Sequence, residues 1–276
     1  MTILHVALPT SLLMEDTDLR DKTIKLGHVA RALAIFKVER VYIYRDPKQD
    51  RENDRRLIRE MLEYLETPQY LRKKLFGLRP SLKYAGLLPP LKIPSHMKTS
   101  TLVPDEYREG VVEEKAGQKF VFVGSDFLVP FYGTASAGSR VTVQIEQTDN
   151  LSWLARQKQR DDIHEYWGYK VVYIDDIFSA PSKDCLMVAT SRLGTPISVV
   201  WSQLVDTLSN NKSVLIIFGS PKRGLFDMFK ENELRRHCHF ILNTVEGQGV
   251  GTIRTEESLC ITLSLFSLAL SLGKSR

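Results

Sequence analysis

The feature that most constrains the fold is an alternation of strand and helix patterns at both ends of this 276-residue chain. Near the N-terminus, the apolar runs at residues 3–8 and 41–44 read as buried strands. Each run is followed by a segment with apolar residues at helical spacing, at residues 19–36 and 51–65. This order of strands and helices is typical of a parallel sheet that is covered by helices.

The middle of the chain follows a different pattern. Four prolines, at positions 89, 90, 94 and 104, indicate a linker. Beyond them, short apolar runs recur at a spacing of roughly 10 residues and are joined by glycine-containing turns, which predicts a small antiparallel β-barrel. The strand–helix alternation then returns near residue 168. We therefore predict one α/β domain, formed by residues 1–90 and 168–276, that is split by an inserted barrel at residues 91–167.

Three apolar strands of the second α/β part lead into polar segments that contain glycine. The runs 186–190, 214–218 and 240–242 are followed by TSRLGT, GSPKRG and NTVEGQGVGT. Ligands of parallel sheets bind beyond the carboxyl ends of the strands, and glycine lets a ligand approach the backbone. The three segments predict a pocket of backbone groups that suits an adenosine-type ligand. The alternative for GSPKRG is an ordinary turn before a helix that begins at Pro221.

Composition narrows the class of protein. The chain is 43% hydrophobic and 26% charged, as expected of a soluble globular protein, and its net charge of +5 gives weak support for a polyanionic partner. Three widely spaced cysteines argue against a disulfide framework and favour a cytoplasmic location. The N-terminus reads as a strand and not as a signal peptide. The apolar run at 259–272 is about 14 residues long, too short to span a membrane.

Several motifs together resemble those of the SPOUT superfamily, S-adenosylmethionine-dependent RNA methyltransferases. They are GHVARALAIF, YWGY, TSRLG, IIFGSPKRGL and NTVEGQGVGTIRTEESL, and they extend over nearly the whole chain. The resemblance is strongest to the archaeal and eukaryotic branch that carries an OB-like insertion. It implies a trefoil-knotted parallel sheet, use of S-adenosylmethionine with release of S-adenosylhomocysteine, no metal, and a homodimer. Ribosomal RNA is the expected substrate, and the motifs do not specify the nucleotide or the methylated atom.

The resemblance also implies roles for individual residues. The residues expected at the cofactor are Thr190, Phe218, Gly219, Leu242, Asn243, Gly247, Ile253 and Thr255. Arg31 matches an arginine that reaches the target nucleotide, and Glu256 is the second catalytic candidate. The alternative for Arg31 is an ion pair with Glu39 or Asp21, and the alternative for Glu256 is capping of the last helix.

Basic residues near the insertion boundaries are candidates for RNA contact. They are Arg72, Lys73, Lys74, Arg156, Lys158 and, in the glycine-rich segment, Arg254. The alternative is a solvated charged surface. His237-Cys238-His239 lacks the second cluster that a zinc site requires. A non-catalytic RNA-binding or assembly protein that keeps the fold is the alternative to an enzyme.

Overall fold

The computed structural model describes residues 2–96, 99–179 and 184–274. It divides into two compact units. The first comprises Met1–Glu63, Tyr84–Pro89 and Tyr169–Arg276, and the second comprises Tyr64–Lys83 and Pro90–Gly168. Residues 64–83, which the sequence pattern placed with the α/β domain, thus belong to the same unit as the barrel.

The first unit contains a six-stranded parallel sheet, as the alternation predicted. Its strands are β1 (Ile3–Pro9), β2 (Arg40–Tyr44), β8 (Lys170–Ile174), β9 (Cys185–Pro196), β10 (Ser213–Ile217) and β11 (Phe240–Asn243). They lie in the order β11-β9-β10-β1-β2-β8. The two central strands, β1 and β10, are paired from Ile3–Ser213 to Ala7–Ile217 and are the most deeply buried part of the sheet. Because all strands are parallel, their carboxyl ends meet at one edge.

Helices are connected to these strands in chain order. They are α1 (Leu19–Ile35), α2 (Glu52–Glu66), α4 (Trp201–Ser209), α5 (Leu225–Met228), α6 (Glu231–His237) and α7 (Thr255–Lys274), with α3 described below. The Asp18 carboxylate caps α1 by accepting from the Asp21 N–H at 2.9 Å. Helix α7 packs against both α1 and α4 through Leu259, Leu263 and Phe266, which are fully buried.

Helix α7 is longer than its apolar core suggested. It has 20 residues instead of about 14, because it begins at Thr255 and continues beyond Leu272. The span Thr255–Gly273 is therefore long and apolar enough to cross a membrane by length and composition alone, and 33% of it is buried. Such a test is also passed by the core helices of globular proteins, so the expectation of no membrane remains a prediction.

The second unit is built on a closed five-stranded barrel. Its strands are β3 (Tyr107–Lys115), β4 (Gln118–Phe122), β5 (Val129–Tyr132), β6 (Arg140–Gln147) and β7 (Trp153–Lys158), and α3 covers Gln69–Phe76. Four of the strands were predicted. Strand β7 was not, because only Ala155 along it is fully buried and its charged residues concealed the alternation.

The YWGY motif has a structural task in this unit. The Trp167 indole N–H donates to the Glu109 carboxylate at 2.5 Å, and the Arg140 guanidinium binds both Glu109 at 2.6 Å and Glu66 at 2.7 Å. Burial alone would raise the pKa of Glu109, yet Arg140 and the hydrogen bonds from Thr142 and Trp167 lower it overall. These groups form a buried network in which each carboxylate has a cationic partner, so removal of Arg140 would leave an uncompensated buried charge.

His5 on β1 makes the stability of the protein sensitive to acid. Burial, with a smaller effect from the Arg40 charge, lowers the pKa of His5 to about 4 from its usual 6.5. Between pH 6.5 and about pH 4, His5 is protonated in the unfolded chain and neutral in the folded chain. The free energy of unfolding should therefore fall by about 2 kcal/mol between pH 7 and pH 5 through this group. Urea denaturation at the two pH values should show a smaller fall in a His5→Gln variant, and an equal fall would contradict the assignment.

Candidate functional site

The carboxyl ends of β9, β10 and β11 enclose a cavity of about 450 Å³. Three segments line it. They are residues 190–193 from β9, residues 218–224 after β10, and some of the residues in the segment 242–258, which leads from β11 to the first turn of α7. The cavity thus lies where the three glycine-bearing segments were expected to meet. Its volume is within the range of small-molecule sites in proteins.

The first segment differs from its prediction as a loop, since strand β9 continues through it to Pro196. The ladder between β9 and β11 pairs Ile241 with Ala189 and then Leu242 with Thr195. Residues 190–194 therefore have no partner on β11 and form a wide bulge next to the cavity. Gly194 closes the bulge against β11, because an added Cβ would lie 2.7 Å from the Ile241 carbonyl oxygen.

The second segment, GSPKRG, is held by one contact from Tyr44, the last residue of β2, to Phe218 just before the segment, and by one from Asp46, which follows β2. The buried Tyr44 hydroxyl donates to the Phe218 carbonyl at 2.7 Å, and the Arg223 guanidinium forms an ion pair with Asp46. The Asp46 carboxylate is fully buried and also accepts from the Ser11 hydroxyl at 2.5 Å. Within the segment, the Ser220 N–H donates to the Arg223 carbonyl at 3.0 Å. The loop is therefore anchored at both ends before any ligand binds.

None of the sequence motifs includes Asp46. Its position directly after an apolar strand, at the ligand-binding edge of a parallel sheet, is the signal that could have revealed it. An isolated buried carboxylate is costly, so such a residue implies a cationic partner elsewhere in the chain.

Replacing Asp46 with alanine should loosen the GSPKRG segment. Arg223 would lose its partner, and the free energy of unfolding should fall by about 3 kcal/mol, with cofactor affinity reduced about tenfold. Asp46→Asn should lose less, because its side-chain oxygen can still accept from the Lys48 and Gln49 N–H groups. Thermal denaturation and calorimetric titration would measure both effects. Equal affinities in all three proteins would exclude a role for the ion pair in shaping the cavity.

The third segment is tied to the other two. The Asn243 side chain donates to the Arg192 carbonyl at 3.2 Å, and the Arg192 guanidinium donates to the Gly251 carbonyl at 3.2 Å. At the start of α7, the Thr255 hydroxyl lies 3.3 Å from the Gly219 carbonyl. Gly247 has a φ of 62°, a conformation that favours glycine. A Cβ added at Gly247, Gly249 or Gly251 would meet no atom within 4 Å, so within this chain the conformation of Gly247 serves the turning of the segment and not a close approach.

Most of the predicted cofactor residues lie at this cavity. Thr190, Phe218, Gly219, Leu242, Asn243, Ile253 and Thr255 line it, whereas Gly247 does not. The structure adds residues that the motifs did not single out, among them Gln248, Ser258 and the aromatic Phe226. Their contact with a cofactor remains a prediction.

The two catalytic candidates lie on different helices, and neither lines the cavity. Arg31 is half-buried on α1. Glu256 is buried in the first turn of α7, and its Oε2 atom has no hydrogen-bond partner in the part of the chain that the structure describes. The capping role belongs instead to Glu257, whose carboxylate accepts from the Arg254 N–H at 2.9 Å. A buried carboxylate with an unused oxygen is poised to bind a group that the chain itself does not supply.

The predicted RNA-binding residues differ in the exposure of their side chains and in the contacts that these make within the protein. The Arg72 side chain donates to the Thr67 carbonyl at 2.9 Å and lies over the Tyr64 ring, so it already contacts neighbouring residues of the protein. Lys74 is paired with Glu113, and Arg156 is paired with Glu146, both at 2.7 Å. Lys73 and Arg254 are exposed, and Lys158 is half-buried. Exposed pairs such as these exchange readily with phosphates.

The described residues contain no group of three or more histidine, cysteine or acidic side chains that could hold a metal ion. The HCH segment is accounted for structurally, since His237 stacks on Phe178 and Cys238 is buried in the core. Burial raises the pKa of the Cys238 thiol to about 12, which keeps it protonated.

Comparisons with known proteins identify the family of this chain. A family model described as "Putative RNA methyltransferase" matches residues 3–266. A protein of Haloarcula marismortui is 32% identical over 282 residues, covering 95% of this chain and 98% of the relative. The 28S rRNA (uridine-N(3))-methyltransferase of Homo sapiens is 30% identical over 308 residues, covering 95% and 77%. That of Mus musculus is also 30% identical over 308 residues, covering 99% and 78%. The chain therefore belongs to this SPOUT-type family and is an RNA methyltransferase.

Proposed function

We propose that this enzyme transfers the methyl group of S-adenosylmethionine to N3 of a uridine in ribosomal RNA. The observation that carries the proposal is the convergence of three tied loops on one cavity at the carboxyl edge of the sheet. The acceptor atom is inferred from the mammalian relatives, whose names specify uridine N3.

The cavity suits the cofactor in size and in chemistry. Its lining combines main-chain groups of three loops with the apolar side chains of Phe218, Leu242 and Ile253. Main-chain donors and acceptors can recognise the edges of an adenine, and apolar side chains can cover its faces. When bound, the cofactor supplies an electrophilic methyl group on a sulfonium. The cavity is lined by two carboxylates, Glu15 and Asp227, and by three cations, Arg192, Lys222 and Arg223, so the carboxylates can offset the positive charge of such a ligand only where they lie next to it.

Methylation of uridine N3 forms a nitrogen–carbon bond and breaks the sulfur–carbon bond, and the N3 proton must leave. In this proposal Glu256 receives that proton, because its buried carboxylate keeps an unused oxygen in the described structure. Arg31 stabilises the negative charge of the RNA at the reacting nucleotide. Its half-buried position on α1, a helix that packs against α7, supports a role close to Glu256.

The finer features of the fold belong to the same proposal. The segment from β11 to α7 forms the trefoil knot of the superfamily, and the closed barrel is an OB-like module that holds RNA. The enzyme is a homodimer, since only a third of the apolar helix α7 is buried within one chain, and Leu268 and Leu272 are exposed. A cytoplasmic location and the absence of membrane and metal complete the proposal.

Two measurements test the function. Calorimetric titration should show binding of S-adenosylmethionine, and of its product, in the presence of a chelator. Mass spectrometry of ribosomal nucleosides should then show 3-methyluridine lost from a deletion strain and restored by the wild-type gene. Binding without any change in the nucleosides would contradict the proposed acceptor. Absence of both would favour the non-catalytic RNA-binding alternative.

A further inference from the structure

A second cavity, of about 420 Å³, lies at the same edge of the parallel sheet. It is bounded by the residues that follow β2 and β8 and by the first two turns of α2. Four arginines line it, Arg45, Arg55, Arg56 and Arg59, which we call the arginine surface. None of the motifs discussed above includes these residues, and neither the cofactor cavity nor the catalytic candidates use them.

Two of the arginines are ordered before any partner binds. The guanidinium carbons of Arg55 and Arg59 lie 5.7 and 6.0 Å from the centre of the Tyr173 ring. The Tyr173 hydroxyl in turn donates to the Arg55 carbonyl, which fixes the ring against the helix. Stacking on an aromatic face restricts the guanidinium rotamers, so less conformational entropy is lost when an anion binds.

The charges at this cavity favour a partner with several anionic groups. The lining has two carboxylates, Glu52 and Asp175, against its four arginines. Ion pairs with acids outside the lining are formed by Arg45 and Arg55, both to Asp50, at 3.4 and 3.8 Å, and by Arg59 to Glu63 at 2.8 Å. Each guanidinium carries five N–H donors, so one carboxylate leaves most of them unused.

Arg56 is the arginine of this surface that is most available to a partner. It is exposed, and it makes no ion pair within the described residues. From Arg55 to Arg59 the helix rises by about 6 Å, the length of roughly two stacked nucleotides of one strand. This spread matches a chain of phosphates better than a single phosphate ion.

The distance to the cofactor cavity sets the relation between the two sites. Strand β10 ends at the cofactor cavity, and β8, three positions along the sheet, ends at the second cavity, which the arginines line. Neighbouring strands are about 4.8 Å apart, so the two sites are separated by about 14 Å along the edge. That is about four stacked nucleotides at 3.4 Å each.

We propose that the arginine surface binds the ribose–phosphate backbone of the substrate RNA, a few nucleotides from the base that is methylated. The inference rests on the proposed function for the identity of the RNA, but the surface can be tested without the cofactor. Contacts to phosphates give affinity and position without reading the sequence. The arginine surface would thus hold the strand in register while the target base reaches the cofactor cavity.

The test compares two double variants that remove the same charge. Arg56→Ala with Arg59→Ala removes two arginines of the surface, one of them paired with Glu63 four residues away. The control, Arg235→Ala with Arg236→Ala on α6, also removes two exposed arginines, one of them paired with Glu231 four residues away. Both variants lower the net charge from +5 to +3 (5 − 2). Only the first lies at the second cavity.

The probe is a fluorescein-labelled oligouridylate of about 20 nucleotides, and its anisotropy is measured over a range of salt concentrations. The surface variant should bind about tenfold more weakly at low salt, and its salt slope should be smaller by about 1.4, since each lost phosphate contact on a single strand contributes about 0.7. The control should stay within about twofold of the wild type.

Three outcomes would overturn the proposal: no loss in the surface variant, an equal loss in both variants, or displacement of the probe by polyglutamate as effectively as by unlabelled oligouridylate. S-adenosylmethionine affinity and the thermal transition should be unchanged in the surface variant, which separates lost RNA contact from damage to the fold. Failure of the proposed function would show instead as missing cofactor binding or missing 3-methyluridine with the wild-type protein.

Discussion

Replacing Gly219 with valine is expected to abolish binding of S-adenosylmethionine while the parallel sheet stays folded. A Cβ at this position would lie 3.0 Å from the Arg223 carbonyl oxygen and 3.2 Å from both the Gly224 Cα and the Leu225 nitrogen. These are backbone atoms, so they cannot rotate away as a flexible side chain would. The backbone of the GSPKRG loop must therefore shift by a few tenths of an ångström for the Cβ alone, and farther for the two Cγ atoms of valine, which displaces the wall that the loop gives to the cavity.

The size of the effect can be graded within the same loop. We expect Gly219→Val to weaken cofactor binding at least 100-fold, a loss of about 2.7 kcal/mol, and Gly219→Ala to weaken it less. Gly224→Ala is the matched control, because the nearest atom to its added Cβ is the Asp227 carboxylate at an ordinary 3.7 Å. Calorimetric titration measures the affinities, and circular dichroism checks the fold. Wild-type affinity in Gly219→Val would place the cofactor elsewhere.

The structure adds a second reason to expect this effect at Gly219. From the motif alone, an added side chain was expected to occupy the space of the ligand. In the structure the added Cβ also meets the backbone of the loop itself. The motif indicates that residue 219 must be small, but only the folded loop shows which atoms a larger side chain would meet.

The parallel sheet was predictable because its strands are buried on both faces. Such strands read as continuous apolar runs, and the predicted runs at 3–8, 41–44 and 214–218 lie within one residue of β1, β2 and β10 at each end. The helices were predictable for a similar reason, since α1 and α2 keep one apolar stripe and differ from their predicted bounds by one residue.

The features that escaped prediction all depend on contacts between distant segments. The bulge at residues 190–194 arises because β11 resumes its pairing five residues late, which no local pattern in β9 reveals. The ion pair of Asp46 with Arg223 joins residues 177 positions apart. Strand β7 has too few buried residues to show alternation, although it closes the barrel. Local patterns specify elements, whereas these features are decided when the elements pack.

The candidate site shows the same division. The cavity residues were inferred because the glycine-bearing segments follow three apolar strands, a rule that holds for parallel sheets in general. The arginine surface was not inferred, because Arg45 follows β2 and the other three arginines lie in α2, and each looks like an ordinary exposed arginine in the sequence. Charge becomes informative only after the fold brings such residues to one edge.

Replacing Arg31 with alanine is expected to lower methyl transfer at least 100-fold and to leave S-adenosylmethionine binding unchanged. Removal of one preorganised positive group from a reacting centre typically has an effect of this size. Arg20→Ala is the control, because Arg20 is an exposed arginine on the same helix. Arg31→Lys should recover part of the activity if the charge is what matters. If Arg31 instead forms a structural ion pair with Glu39 or Asp21, its loss should lower the melting temperature. Activity should then fall only as far as the fraction of folded protein falls.

A complementation experiment tests whether Arg31 serves the site of its own subunit or that of a partner. Arg31→Ala keeps an intact cofactor cavity, and Gly219→Val keeps an intact Arg31. In a two-fold dimer with shared sites, a mixed dimer of the two variants has one complete site of two, so random reassortment should restore about a quarter of wild-type activity. If each subunit uses its own Arg31, both sites of the mixed dimer are defective and the mixture stays inactive. Light scattering that shows only monomers at micromolar concentration would likewise exclude a shared site, and Arg31 would then act within its own chain.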